Sequence, residues 1–255
     1  MKFRPCIDLH EGKVKQIVGS TLTDTDLHLT TNFSSDKPSS FYAEMYRRDQ
    51  LTGGHIIKLG PGCDEAAAAA LKAYPGGMQL GGGITEENAV FWLEQGASAV
   101  IVTSYVFKDG KVYEDRLHSL LQLVGKDRLV LDLSCRKKGD AYFVVTDRWQ
   151  NFTEVQISQE SLRYFSRFCC EFLIHAVDVE GKCGGIEEAL ARDLGNWVTI
   201  PTTYAGGVKS IEDLEMVKEV GKSKLDVTIG SALDIFGGTG VIYKEAVAFN
   251  RRQGE

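Results

Sequence analysis

Short apolar runs alternate with helix-periodic stretches eight times along this chain. The apolar runs lie near 3–9, 54–59, 77–80, 99–103, 128–133, 171–178, 197–204 and 225–229. Brief apolar runs of this kind fit parallel strands covered on both faces. Between them, stretches near 39–50, 63–73, 85–96, 113–124, 157–169, 186–194, 210–220 and 240–252 carry helical spacing. Thr85 before Glu86-Glu87, and Ser210 followed by Glu212-Asp213, mark two of the helix starts. The run Ala66 to Ala70 has high helix propensity and is expected to pack closely on the sheet. Eight βα units with no marked linker predict an α/β chain folded as one (β/α)8 TIM barrel over 1–255. A doubly wound open sheet is the competing architecture.

The chain also repeats itself. Asp132, ending Arg128-Leu129-Val130-Leu131, follows Asp8, ending Arg4-Pro5-Cys6-Ile7, by 124 positions; Gly206-Gly207 follows Gly82-Gly83 by the same 124. A third pair, Thr103-Ser104 and Gly230-Ser231, is offset by 127. Self-similarity of this length favours the closed barrel, because two equal four-unit halves, about 1–125 and 126–255, close into eight strands.

Each half therefore supplies one carboxylate and one candidate anion cradle. In a barrel the C-terminal strand ends form the mouth, which is where Asp8 and Asp132 are expected. Two acids in unlike surroundings can serve as separate base and acid; read alone, either one also fits a cap or an ion pair. Gly82 and Gly83, followed one strand later by Thr103 and Ser104, form one cradle, and Gly206 and Gly207, followed by Gly230 and Ser231, the other. Without Cβ atoms such turns bring backbone N–H groups close to a phosphate, although tight turns demand glycine anyway. Two cradles across one mouth suit a substrate with a phosphate at each end.

Three further residues stand out. His175, in the sixth apolar run, is read as a candidate for proton transfer or as a buried hydrogen-bonding residue. Trp149, in a polar loop, offers a planar face for a ligand ring or an anchor for its own loop. Lys58, ending the second run, fits either a phosphate contact or an ion pair. Two connections are longer than a barrel needs, 12–40 and 134–154; the second contains Tyr142-Phe143-Val144-Val145, which reads as a small hairpin. Both follow the strands of the paired aspartates and are expected to close over bound substrate.

Composition narrows the field. The net charge of −6 argues against nucleic acid as a partner but not against a phosphorylated substrate. Six cysteines lack any Cys-x-x-Cys spacing and five histidines are dispersed, so reduced thiols and no metal site are expected. No apolar stretch has membrane-spanning length, and Met1-Lys2-Phe3-Arg4-Pro5 runs directly into the first strand, so a cytoplasmic protein with no membrane partner is expected. A monomer is expected.

Taken in order, Pro5-Cys6-Ile7-Asp8-Leu9 with Gly12-Lys13-Val14, Gly81-Gly82-Gly83-Ile84, Val130-Leu131-Asp132, Asp178-Val179-Glu180-Gly181, Tyr204-Ala205-Gly206-Gly207-Val208 and Ile229-Gly230-Ser231-Ala232-Leu233 carry a resemblance. The chain resembles, over essentially its whole length, the aldose–ketose isomerase family of histidine biosynthesis in its eukaryotic branch. The resemblance implies an Amadori rearrangement of the phosphoribosylformimino-aminoimidazole carboxamide ribotide, an aminoaldose with two phosphates, into its aminoketose. It implies Asp132 as general acid opening the furanose ring, Asp8 as the base removing the C2 proton, Trp149 stacked on the imidazole, and no cofactor or metal. Three positions depart from it: His175 stands where bacterial members carry a Thr, Lys58-Leu59-Gly60-Pro61-Gly62 replaces an Asp-Leu-Asp-Gly type, and Gln16 stands where many relatives have a basic residue. The cyclase subunit of imidazole glycerol phosphate synthase resembles the chain less, since it needs a lysine where Gln16 stands. A non-catalytic phosphoribosyl-binding barrel is the alternative from another functional class.

Overall fold

In the computed structural model, which describes residues 1–21 and 29–253, the first strand does two jobs. Its first piece, Phe3–Arg4, pairs in parallel with Leu225–Thr228, and its second piece, Cys6–His10, pairs in parallel with Gly54–Lys58. Pro5 separates the pieces because it has no N–H to give a ladder; its carbonyl still accepts from the His55 N–H at 3.0 Å. One segment thus bonds the last strand on one side and the second on the other. The sheet closes.

We call this composite strand β1, and the others β2 (Gly54–Lys58), β3 (Met78–Gly81), β4 (Val100–Val102), β5 (Leu129–Asp132), β6 (Glu171–His175), β7 (Thr202–Ala205) and β8 (Leu225–Thr228). Every neighbouring pair among them is parallel. The helices are α1 (Ser39–Arg48), α2 (Asp64–Ala73), α3 (Ala89–Glu94), α4 (Glu114–Val124), α5 (Gln159–Phe165), α6 (Glu188–Trp197), α7 (Ile211–Val220) and α8 (Tyr243–Arg252).

Alternation along the strands sorts the apolar residues into two cores. Val100 and Val102, Leu129 and Leu131, and Phe172 and Ile174 join helix residues such as Leu71, Leu120 and Phe249 in the core between sheet and helices. Ile101, Val130 and Leu173, one step along the same strands, form a separate small cluster with Ala99 inside the barrel. Across from them the interior is polar or small. At the N-terminal end Glu171 accepts from Gln79 Nε2 at 2.9 Å and from Thr203 Oγ1 at 2.8 Å, and Arg4 pairs with Asp226 at 2.7 Å. That end is the stability face; the opposite end is open for chemistry.

The predicted elements differ from the observed ones in a few places. The 85–96 helix begins only at Ala89, because Thr85 instead heads a turn in which Ala89 N–H bonds its carbonyl at 3.0 Å. Ser210 sits at an N-cap, yet its side chain makes no capping bond; Asp213 instead accepts from the Lys209 N–H at 2.8 Å. The seventh strand starts at Thr202, since α6 runs on through Trp197. The apolar run 171–178 leaves the sheet after His175. The loop 134–154 holds more than a hairpin: Cys135–Lys138, Ala141–Thr146 and Asn151–Gln156 form a three-stranded antiparallel sheet. Of the other long loop, residues 22–28 lie outside the described residues; the flanks Lys13–Ile17 and Thr31–Ser34 pair as an antiparallel extension of β1.

Candidate active site

Asp8 stands opposite Ile57 on β2, and Asp132 opposite Leu173 on β6, so both carboxylates reach the same end of the barrel from inward-facing positions. They open into different spaces. A wide cleft of about 1010 Å³ is lined by Asp132, Gly82, Gly83, Thr103, Ser104 and Trp149. A narrow chamber of about 20 Å³ is lined by Asp8, His175, Gly206, Gly207, Gly230 and Ser231. Each space thus takes one aspartate and one glycine–hydroxyl cradle, in both cases from opposite halves of the chain, and Trp149 joins the cleft with the first cradle. Its ring lies 5.4 Å from that of His175, at the border between the two.

The glycine pairs prove unequal when tested with a hypothetical Cβ. At Gly82 (φ +91°) it would sit 2.1 Å from the Lys58 carbonyl oxygen, and at Gly206 (φ +116°) 2.8 Å from that of Ala176. These two glycines are demanded by the turn itself, each passing the carbonyl at the end of the preceding strand. At Gly83 nothing lies within 4 Å, so its missing side chain leaves open space in the cleft. The hydroxyls are also occupied. Ser104 Oγ accepts from the Asp147 N–H at 2.9 Å, and Ser231 Oγ accepts from Asn32 Nδ2 at 3.0 Å.

Trp149 is held by a strained turn. Asp147, Arg148 and Trp149 all have positive φ, 52°, 56° and 65°. Left-handed backbone at three successive side-chain-bearing residues costs on the order of 1–3 kcal/mol each and persists only where its surroundings enforce it. The Asp147 N–H bond to Ser104 and the Asn151 Nδ2 bond to Asp147 Oδ2, at 2.9 Å, are two such restraints. Lys58 resolves as an ion pair, 2.8 Å from Asp64, with its ammonium over the Trp92 ring at 4.3 Å; it lines the wide cleft from there.

Electrostatics separate the acids. Burial raises the Asp8 carboxyl to about 6, against the lowering effect of Gln16, whose Nε2 donates to Asp8 Oδ2 at 3.0 Å. Burial, then the nearby charge of Asp8, pushes Glu180 in the same chamber up to about 8. Glu180 therefore stays neutral at pH 7 and leaves the Asp8 charge unopposed. Burial also lowers His175, with Asp132 pulling the other way, and holds His55, its ring 6.0 Å from His175, down to about 3. Both imidazoles are neutral. Asp132 is tied at Oδ1, which accepts the Ser134 N–H at 2.8 Å and the Ser134 hydroxyl.

Glu180, Gln16, Ser134 and Asn32 carry site contacts that sequence reasoning assigned no role. Ser134 has a legible signal, since a hydroxyl two residues past a strand-end Asp is set to bond it. The others reach the mouth from loops whose path no periodicity reveals. Among the described residues, no three or more His, Cys, Asp or Glu side chains group as a metal site, and no helix is long and apolar enough to cross a membrane.

A family model described as "Histidine biosynthesis protein" matches residues 2–239, the span that holds every residue above. The chain belongs to this family. It is 52% identical to a protein of Neurospora crassa over 99% of both chains, and 47% identical to one of Saccharomyces cerevisiae over 99% of both. It is also 52% identical to a chloroplastic protein of Medicago truncatula, over 99% of this chain and 83% of that one. All three relatives bear the name 1-(5-phosphoribosyl)-5-((5-phosphoribosylamino)methylideneamino)imidazole-4-carboxamide isomerase. In this member of the family two carboxyl groups, Asp8 and Glu180, line the chamber, and Asp132 lines the adjoining cleft.

Proposed function

We propose that this chain catalyses the aldose–ketose isomerisation for which its relatives are named, an intramolecular redox reaction on a ribotide bearing two phosphates. The observation that carries the reading is the pair of strand-end aspartates, each lining a space with one glycine–hydroxyl cradle, the two spaces bordering at the Trp149–His175 ring contact. One phosphate lies at Gly83, Thr103 and Ser104, the other at Gly207, Gly230 and Ser231, with Gly82 and Gly206 shaping the turns. Trp149 stacks on the imidazole. Asp132 protonates the ring oxygen of the reacting ribose, which opens to a protonated imine. Asp8 then removes the C2 proton, and the resulting enolamine tautomerises to the ketone, so the product is an isomer and no redox partner is consumed. Holding the open chain by both phosphates lowers the entropic part of the barrel's task, while each positioned proton transfer contributes about 10²–10⁴-fold. Glu180 supports this reading as the neutral group that lets Asp8 ionise in a buried chamber.

The residues 1–255 act as one unit with two related halves, working as a monomer in the cytoplasm; the net charge of −6 speaks against nucleic acid as a partner. No cofactor or metal enters this chemistry.

The test is a coupled assay with the aminoaldose and a glutamine-supplied cyclase that consumes only the ketose, run on wild type and Asp8→Asn. Turnover by the wild type, lost in the variant while substrate still binds, is expected. Tight binding without turnover would favour a phosphoribosyl-binding barrel, and turnover of the ketose with ammonia would favour the cyclase.

A further inference from the structure

The two aspartates line different spaces, yet a hydrogen-bonded chain runs from Asp132 to a ring in the chamber of Asp8. Asp132 Oδ1 accepts the Ser134 hydroxyl; Ser134 Oγ lies 3.0 Å from His175 Nδ1 and also accepts the His175 backbone N–H at 3.2 Å. Ser134 is 0% exposed, and Asp132 and His175 are 8% exposed each, so water does not compete for these contacts.

A hydroxyl has one proton to give. With that proton directed at Asp132 Oδ1, the Ser134 oxygen can only accept from the imidazole, so Nδ1 must carry its own proton. The result is the same if Asp132 is protonated on Oδ2, because Oδ1 still accepts. The imidazole is then the Nδ1–H tautomer, and Nε2 is left with an unshared pair. No described residue donates to Nε2, while the ring itself lines the chamber of Asp8 and Glu180. A neutral ring with a bare nitrogen there attracts a neutral donor, not a phosphate.

We propose that His175 Nε2 accepts a hydrogen bond from a hydroxyl of the reacting sugar, and that Ser134 is the positioning residue that fixes the tautomer for it. Asp132 thereby acts twice, through Oδ2 in the cleft and through Ser134 and His175 in the chamber. The groups facing the imidazole are Asp132 and Ser134 from β5 and its exit, His55 from β2, Trp149 from the fifth loop, and Asp8 and Glu180 across the chamber. None of these described groups is hydrogen-bonded to Nε2. The inference rests on the isomerase reading for the identity of the sugar, and the tautomer rests on the Ser134 proton being directed at Asp132 Oδ1.

Long-range 1H–15N correlation spectra of the full chain, labelled at histidine nitrogen, read the tautomer directly. His175 is expected as a neutral ring protonated at Nδ1, and D-ribose 5-phosphate, but not inorganic phosphate, is expected to shift its Nε2 signal. A ring protonated at Nε2, or an Nε2 signal unmoved by saturating ribose 5-phosphate, would overturn the proposal. His175→Asn keeps a partner for Ser134 but lacks Nε2, and should lose about ten- to a hundredfold in kcat/KM, as for a hydrogen bond to a buried acceptor. Wild-type kcat/KM in that variant would also overturn it. Ser134→Ala, where it folds, should show mixed His175 tautomers and a loss of about tenfold. Failure of the isomerase reading gives a different pattern: no turnover by the wild type, with the Nδ1–H tautomer and the ribose 5-phosphate shift intact.

Discussion

The two halves present the same parts at the same strand ends and use them differently. In the first, Gly83 faces open space in a cleft of about 1010 Å³; in the second, the corresponding Gly207 would drive a Cβ to 2.1 Å from the Gly185 carbonyl oxygen, beneath the segment after β6. That segment turns the second cradle into a chamber of about 20 Å³ and brings Glu180 to the side of Asp8. The halves also restrain each other. The fifth loop donates the Asp147 N–H to Ser104 of the first half, and the first loop donates Asn32 Nδ2 to Ser231 of the second. Repetition supplies a pair of glycine–hydroxyl cradles, proposed above as the anion sites, whereas the loops, which do not repeat, decide which lies in the wide cleft and which in the narrow chamber. Burial in that chamber raises Asp8 to about 6, which suits the role of base proposed for it.

The largest effect should come from removing the two acids in turn. Asp8→Asn and Asp132→Asn are each expected to lower kcat by about 10²–10⁴-fold with little change in substrate affinity, read by single-turnover assay and equilibrium binding. Equal, purely KM-type losses in both would break the comparison, because it would make both halves binding sites only.

Next in size is the pH profile of kcat/KM. Asp8 must be ionised to accept a proton, so activity should rise through about pH 6; Glu180 must stay neutral, so activity should fall through about pH 8. The second ionisation of a phosphate monoester also lies near 6, which makes the alkaline limb the discriminating one. Glu180→Gln is expected to abolish that limb while retaining turnover at pH 7. An unchanged alkaline limb in this variant would assign it to another group.

Against these expectations, the legible part of the molecule is whatever periodicity or repetition encodes. Val100, Ile101 and Val102 announce a strand buried on both faces, and the structure sends alternate members to the two cores. Asp8 and Asp132 announce themselves by a shared offset. What a linear pattern cannot carry is contact between distant segments. Asn32 on Ser231 and Asp147 on Ser104 join residues 199 and 43 positions apart, and each depends on how a loop folds back over the mouth. The glycines show the same limit from the other side. Gly82 and Gly83 read alike in sequence, but only the backbone shows that one serves the turn and the other the cleft.

That distinction sets a smaller, structural expectation. Gly82→Ala meets the Lys58 carbonyl at φ +91° and should cost about 1–3 kcal/mol of stability by calorimetry or denaturant unfolding, more than Gly83→Ala, which has the space and bears only the left-handed backbone cost. Gly83→Ala should instead raise KM, because the added methyl projects into the cleft. The reverse ranking would mean that the first cradle is shaped by the ligand and not by the turn.

The smallest effect should be at Asn32. Its Nδ2 donates to Ser231 Oγ at 3.0 Å and to the Gly181 carbonyl at 2.8 Å, and the residue is exposed. Net hydrogen bonds are worth about 0.5–1.5 kcal/mol each, and solvent exposure reduces that, so Asn32→Ala should move KM by no more than about two- to threefold. The direction is the informative part. If Asn32 occupies a hydroxyl that the substrate phosphate must claim, KM falls; if it holds Ser231 in place for the phosphate, KM rises. We expect a rise, because the amide fills the acceptor side of the Ser231 oxygen and leaves its one proton free for the phosphate, itself an acceptor. The opposing contact cannot be relieved in this way, since Ser104 is held by a main-chain N–H. A rise would place both loops in the same role, as props of the cradles; a fall in KM would instead mean that Asn32 obstructs the second cradle and would set the halves apart.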